Sequence, residues 1–397
     1  MEFALTEEQQ MIRDTAESFL ADKSSSEAIR SAMATELGYD RELWASISNE
    51  MYWHAMHIPE EYGGLGLGYV EVAVVMEQMG RRLLCSPFFA TVGLAVNALL
   101  QAGDEAQKAE WLAKIIEGQT ATLAYSSGGR DWGARAVKAE FVEADDAVVL
   151  NGDYHYVVDG HSADILIVAA RNQSDKEQIE LFVLHADTEG VTREWTPTMD
   201  QTRKLGTLSF ADVKLPTANR LAHHLTDSGN QALRNVLDLG LIALAAEQSG
   251  GAQAILEQAV AYTLEREQFG RSIASFQSIK HKAADMKLKA EVSRSAVYYA
   301  ACVAQESLAG DDGDAQFASE LAEASSMAKA YCSDTYFYNA GNGLQMFGGV
   351  GFTWEYDVHL YFKRAKSSET LLGDGAWHRE RIASLLLDSN TESEVAQ

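Results

Sequence analysis

Between Tyr262 and Met286 the chain reads YTLEREQFGRSIASFQSIKHKAADM, and within it Arg266-Glu267-Gln268-Phe269-Gly270-Arg271 is followed by Phe276-Gln277. The pattern predicts a helix that arrives carrying Arg266, a break at Gly270, and a second helix leaving through Phe276 and Gln277. A fixed cation, an aromatic face and an amide then meet at one junction. That set of groups suits an anionic, planar cofactor. A second glycine cluster, Gly348-Gly349-Val350-Gly351-Phe352, follows Gln345 and Phe347. One carboxylate also stands out: Glu247 ends the apolar run Leu241–Ala246. A charge in such surroundings is either paired inside the protein or functional.

Such groups need rigid elements to hold them. From Thr6 to about Gly118 the spacing is helical, opening on Thr6-Glu7-Glu8-Gln9, which has the form of a capping box. From Gln119 to about Ala222 the period changes to short strand-like runs, with Asn151-Gly152 read as one of the turns between them. We expect a small barrel or sandwich there. From Ser228 onward long helices are expected at 229–267, 272–308, 315–346 and 368–388, because no proline follows Pro216. The expected class is α+β multidomain: an α-helical N-terminal domain (1–118), a β-barrel or sandwich middle domain (119–225) and a C-terminal four-helix bundle (226–397).

The totals exclude several functions. The chain has 397 residues, and its 32 basic against 58 acidic residues give a net charge of −26, which argues against nucleic acid and anionic membranes as partners. No apolar run reaches the ~18 residues of a membrane span. Cys85, Cys302 and Cys332 are odd in number and fit no metal spacing. They read as free thiols of a reducing compartment, so a cytoplasmic protein without a metal site is expected.

The order of helices, β insert and bundle, with REQFG…FQ and QMFGGVGF in the bundle, resembles the acyl-CoA dehydrogenase family over nearly the whole chain. IPEEYGGLGLG, FADVKLP and YFKRAK are similar to that family as well. The resemblance implies FAD as cofactor. Arg266 would pair with the pyrophosphate, Phe269 and Gln277 would line the adenosine, and Gln345, Gly348 and Gly349 would reach the same FAD from a neighbouring subunit. In the loop that reads Ser126-Ser127-Gly128-Gly129-Arg130-Asp131-Trp132, Ser126 would meet the flavin ring. Tyr156 and Val158 would do so from Tyr156-Val157-Val158.

Arg130 would add a cation beside the coenzyme A path, and Asp238 and Gly240 would face the substrate from the first bundle helix. The family's chemistry removes the α-proton of an acyl-CoA thioester with a carboxylate while the β-hydrogen passes to flavin as hydride. The usual glutamate is Asp374 here, in Leu372-Gly373-Asp374-Gly375, one methylene shorter. Asp374 also reads as a helix N-cap. Glu247, seven residues beyond Gly240 on the same helix face, is the alternative base. By resemblance the partners are an acyl-CoA substrate, an electron-transferring flavoprotein, and further subunits in a homotetramer or an α2β2 heterotetramer. A non-catalytic partner chain that completes half a site is the alternative function.

Overall fold

Thr6 starts the first helix as its sequence requires: its hydroxyl accepts from the Gln9 N–H at 3.2 Å and the Gln9 side chain returns to the Thr6 N–H at 3.0 Å. A computed structural model describes residues 5–129, 131–222, 229–308 and 315–388. Helices α1 (Glu7–Lys23), α2 (Ser26–Met33), α3 (Arg41–Asn49), α4 (Tyr69–Arg81), α5 (Asn97–Ala102) and α6 (Glu105–Ile116) come first; an apolar π-helical stretch, Phe89–Val96, runs into α5. Strands β1 (Ala121–Ala124), β2 (Glu140–Ala144), β3 (Ala147–Val158), β4 (Ile165–Asn172), β5 (Ile179–His185), β6 (Val191–Thr196) and β7 (Leu205–Pro216) follow. The chain then returns to helix in α7 (Gly229–Glu265), α8 (Gln277–Leu308), α9 (Ala315–Phe347), α10 (Val358–Thr370) and α11 (Gly375–Leu387). The class is therefore the expected one, with helices before and after a middle β-sheet region in the chain. No helix among the described residues is long and apolar enough to cross a membrane.

Two compact units emerge. One contains the described residues of Arg30–Gly68 and Cys85–Gly240; the other contains those of Met1–Ile29, Tyr69–Leu84 and Leu241–Gln397. The first is built on one curled seven-stranded sheet in the order β1-β4-β2-β3-β7-β6, with β5 on β4. Pairings of β4 with β1 and β2 are parallel, and the others are antiparallel. Its core centres on Phe141, Tyr154, Phe182, Leu208 and Phe210. Tyr154 is fully buried and satisfies its hydroxyl on Ala169 O at 3.0 Å, as a buried phenol must.

Asn151-Gly152 is not a turn. It lies inside β3 at a register shift against β7. Gly152 takes φ +136°, and a Cβ on it would lie 2.7 Å from Ala139 Cα. The Asn151 amide spans the bulge to Asp212 on β7, accepting from its N–H at 2.8 Å. A glycine bulge thus joins two strand-like runs that the sequence pattern separates.

In the second unit α8, α10 and α11 pack on α9, while α1 packs on α4 and α4 on α8. Gly80 of α4 and Gly250 of α7 meet backbone to backbone: a Cβ on Gly80 would lie 1.9 Å from Glu247 O, and one on Gly250 1.8 Å from Glu77 O. Beside this crossing the buried Glu77 accepts from Tyr298 Oη at 2.7 Å, and burial holds its carboxyl above the ordinary range. The expected fourth helix, 368–388, is two helices, since α10 stops at Thr370 and α11 starts at Gly375. The break falls where Leu372 and Gly373 take positive φ, 60° and 101°, which no α-helix accommodates.

Candidate active site

That break carries Asp374. The residue caps α11: its Oδ1 accepts from the Trp377 N–H at 2.8 Å, and the side chain is exposed. Lys329 of α9 lies beneath the turn, fully buried among small residues. Its Nζ donates to Gly373 O at 2.8 Å, to Glu369 O at 3.1 Å and to Ser333 Oγ at 2.9 Å. Ser333 in turn accepts from Gln248 Nε2 of α7 at 3.0 Å. Burial pulls the Lys329 ammonium down to about 7, against the opposing pull of nearby Cys332, Glu369, Asp374 and Asp334.

His378, one turn into α11, reaches back with Nε2 to Leu372 O at 3.1 Å. Burial first, then the charges of Lys329 and Arg381, push it down to about 3. The ring is neutral near pH 7, and facing a carbonyl makes Nε2 the protonated nitrogen and the donor.

Glu247 is engaged elsewhere. Arg364 Nη1 of α10 donates to its Oε1 at 2.9 Å, and both side chains are buried. Arg364 Nη2 also lies 3.4 Å from Leu84 O.

The Arg266 stretch departs in detail from its sequence reading. Helix α7 stops at Glu265, and Arg266 begins a connector instead of riding the helix. A small hairpin, β8 (Glu267–Gln268) and β9 (Arg271–Ser272), turns through Phe269 and Gly270, both at positive φ. Two residues with positive φ are what a tight two-residue hairpin loop requires. The Phe269 ring is 91% exposed, and the Arg266 side chain has no ion-pair partner among the described residues. Gln277 opens α8 and is exposed, its amide 3.5 Å from His281. Tyr262, one turn before Arg266, stacks on Phe347 with ring centroids 4.3 Å apart. This stacking brings the glycine cluster to the same end of the bundle. Gln345 is exposed there, and a Cβ on Gly348 or Gly349 would meet nothing within 4 Å.

In the sheet unit, His155 N–H donates to Ser126 O at 2.9 Å, which holds the loop after β1 against β3. Tyr156 follows on a second bulge, at φ 58° and 56% exposed. A non-glycine residue held at positive φ on a bulge is a costly arrangement of the kind that gathers at functional sites. Val158 ends the strand, buried, its carbonyl accepting from Thr122 Oγ1 at 2.6 Å. Ser126, Tyr156 and Val158 are thus brought together on adjacent segments. Asp238 and Gly240 are buried on α7, and Arg130 lies outside the described residues.

Sequence reasoning missed Lys329, His378 and Arg364. Lys329 left a faint signal, a single cation inside Ser-Ser-Met-Ala-Lys-Ala-Tyr-Cys. His378 and Arg364 left less, because His378 binds a main-chain oxygen six residues back and the carboxylate partner of Arg364 lies 117 residues away.

The chain as a whole is similar to known proteins. Residues 6–119 match the family model described as acyl-CoA dehydrogenase, N-terminal domain, and residues 227–387 match acyl-CoA dehydrogenase, C-terminal domain. The chain is 31% identical over 369 residues to acyl-CoA dehydrogenase IpdE2 of Mycolicibacterium smegmatis, covering 93% of this chain and 96% of that one. To IpdE2 of Mycobacterium tuberculosis it is 33% identical over 373 residues, covering 92% and 93%. Among solved structures, butyryl-CoA dehydrogenase of Megasphaera elsdenii superposes with a TM-score of 0.87 at 30% identity, covering 98% of this chain and all of that one. The Tcur3481-Tcur3483 steroid ACAD does so with a TM-score of 0.84 at 26% identity, covering 97% and 99%.

Proposed function

The chain belongs to the acyl-CoA dehydrogenase family of FAD-dependent oxidoreductases, and from that premise we propose that it dehydrogenates an acyl-CoA thioester with Asp374 as the base. The carrying observation is how differently the two candidate carboxylates are engaged. Glu247 is locked to Arg364 in a buried ion pair. Protonating it would leave a buried guanidinium without its countercharge, at a cost of several kcal/mol. Asp374 is exposed and uses Oδ1 to cap α11, while Oδ2 has no partner among the described residues. Oδ2 is the atom that takes the α-proton. An apolar acyl group laid over a carboxylate strips it of water and raises its basicity, which the weak acidity of the α-carbon demands.

FAD, when bound, supplies the acceptor for the β-hydride. The residues present fit such a group. Arg266 offers an unpaired guanidinium to the pyrophosphate. Phe269 offers an exposed ring and Gln277 an amide to the adenosine. Gln345 and the open Gly348 and Gly349 approach it from a neighbouring subunit, and Ser126, Tyr156 and Val158 serve the flavin ring. Arg130, Asp238 and Gly240 are assigned to the substrate. A bulky, steroid-type acyl group is our choice of substrate class, supported by the likeness to a steroid ACAD. Electrons leave to an electron-transferring flavoprotein.

The test measures flavin bleaching with butyryl-CoA, isovaleryl-CoA and a CoA ester of a steroid carboxylic acid. Asp374→Asn should keep its FAD and lose at least three orders of magnitude in rate, while Glu247→Gln keeps catalysis in whatever fraction folds. A variant Asp374→Asn within tenfold of wild type, beside a folded but inactive Glu247→Gln, moves the base to α7.

A second reading is supported by one observation: a structural neighbour of the same fold, the ChsE4-ChsE5 complex, is made of two different chains. In that reading this chain completes a heteromer. The loop at Ser126–Trp132, which departs from the family pattern, is where the chain would need its partner.

A further inference from the structure

We infer that Lys329 and His378 are positioning residues that fix the Leu372-Gly373-Asp374 turn, so that the base is presented at one height and angle. The inference rests on Asp374 being the base. Its geometric ground is that side-chain donors reach three carbonyls of this short stretch. Lys329 takes Glu369 O at 3.1 Å and Gly373 O at 2.8 Å, and His378 takes Leu372 O at 3.1 Å. The turn needs holding. Leu372 sits at φ 60°, a region that costs a branched residue free energy and persists only when its surroundings impose it.

The donors are themselves held. Ser333 and, through it, Gln248 of α7 fix the Lys329 ammonium. His378 is fully buried beneath the turn, where a Cβ on Gly373 would come within 3.0 Å of its Nε2. So the backbone that carries Asp374 is held from the bundle core, while its side chain is fixed by the cap on α11. Reach is the quantity at stake. Aspartate is shorter than glutamate by a carbon–carbon bond, and a misplacement of about 1 Å costs on the order of a hundredfold in rate. A shorter base therefore needs a stiffer mount.

The experiment uses the FAD-loaded enzyme. Lys329→Met removes the donors and keeps the stem, while His378→Leu removes the imidazole donor and His378→Gln retains one. Hydrogen–deuterium exchange of the peptide spanning 371–378 is read first, because it needs no substrate. We expect faster exchange there in Lys329→Met and His378→Leu, wild-type exchange in His378→Gln, and unchanged exchange in β3 and β4. Single-turnover bleaching follows, with whichever of the three esters above reduces the wild-type flavin fastest. We expect a rate constant at least tenfold lower at full amplitude, substrate affinity within about twofold, and recovery in His378→Gln. Introduced into Asp374→Asn, Lys329→Met should cost no further rate.

Wild-type exchange in both donor-less variants overturns the inference, as does a loss of amplitude without a change in rate constant. If Lys329→Met fails to fold, the His378 pair decides alone. Should Asp374→Asn be fully active while exchange behaves as expected, the base assignment fails and the mount stands as a structural feature only.

Discussion

Lys329 is wholly buried, yet no carboxylate touches its Nζ; its partners are two carbonyls and a hydroxyl. Unfolded lysine titrates near 10.4, whereas burial sets this one at about 7. Between those values the unfolded chain binds more protons than the folded one, so stability from this group rises with pH across that window. Below pH 7 the full penalty of burying the ammonium applies. We expect the stability of the FAD-loaded wild type relative to Lys329→Met to increase from pH 7 to pH 9.5, by up to a few kcal/mol; melting temperatures of the two proteins across that range check it. A neutral amine keeps two N–H groups, enough for both carbonyls, with the Ser333 hydroxyl turning to donate. At this scale the sequence is only partly legible. Asp374 is legible as the N-cap of α11, the one part of its reading that the fold bears out. Lys329 is not, because its carbonyl partners lie 40 and 44 residues away and a main-chain oxygen has no sequence signature.

Helices α4 and α7 show what composition hides at the next scale up. In the sequence Gly250 and Gly251 could leave room for a bulky acyl group or allow close helix packing, the more frequent case, and the structure gives close packing at both. A Cβ on Gly251 would lie 2.4 Å from the Tyr336 ring, and Gly250 touches the α4 backbone directly. Gly250→Ala should therefore lower stability by about 1–3 kcal/mol or more, since two backbones must part. Gly341→Ala in α9, where the nearest atom would be 3.9 Å away, should be neutral or stabilising by up to about 1 kcal/mol. Thermal melts of the pair test whether the crossing is as tight as drawn. Periodicity locates the long helices well because one face of each is continuously apolar. It fails at the bulges of β3 and at the end of α10. There Gly152 and the Leu372-Gly373 pair change direction without interrupting the apolar pattern on either side.

A chain carrying −26 charges that assembles with copies or relatives must do so against its own repulsion. Exposed apolar side chains on the helical unit, Leu288, Val292, Phe352 and Trp354 among them, supply surface that association would cover. We expect a tetramer whose dissociation on dilution is marked at about 0.01 M salt and suppressed near 1 M, where screening is nearly complete. Light scattering coupled to size exclusion at the two salts gives the answer. A yellow, active assembly of this chain alone removes the heteromeric reading. A colourless product rescued by a co-expressed homologous chain supports that reading. The acidic balance was plain from the sequence, and so was the family's domain order. Assembly was not, because an apolar residue reads alike whether it faces a core or a partner.

The bonds that Lys329 and His378 make to the turn around Asp374 end on main-chain oxygens. The mount is therefore indifferent to which side chain the turn carries. Exchanging Asp374 for a longer acid would forfeit some of the cap on α11, because Asp is the better N-cap, while the carbonyl contacts would stay as they are. Holder and acid can thus be altered independently, which leaves this lineage free to change the length of the acid on that turn without rebuilding the bundle beneath it.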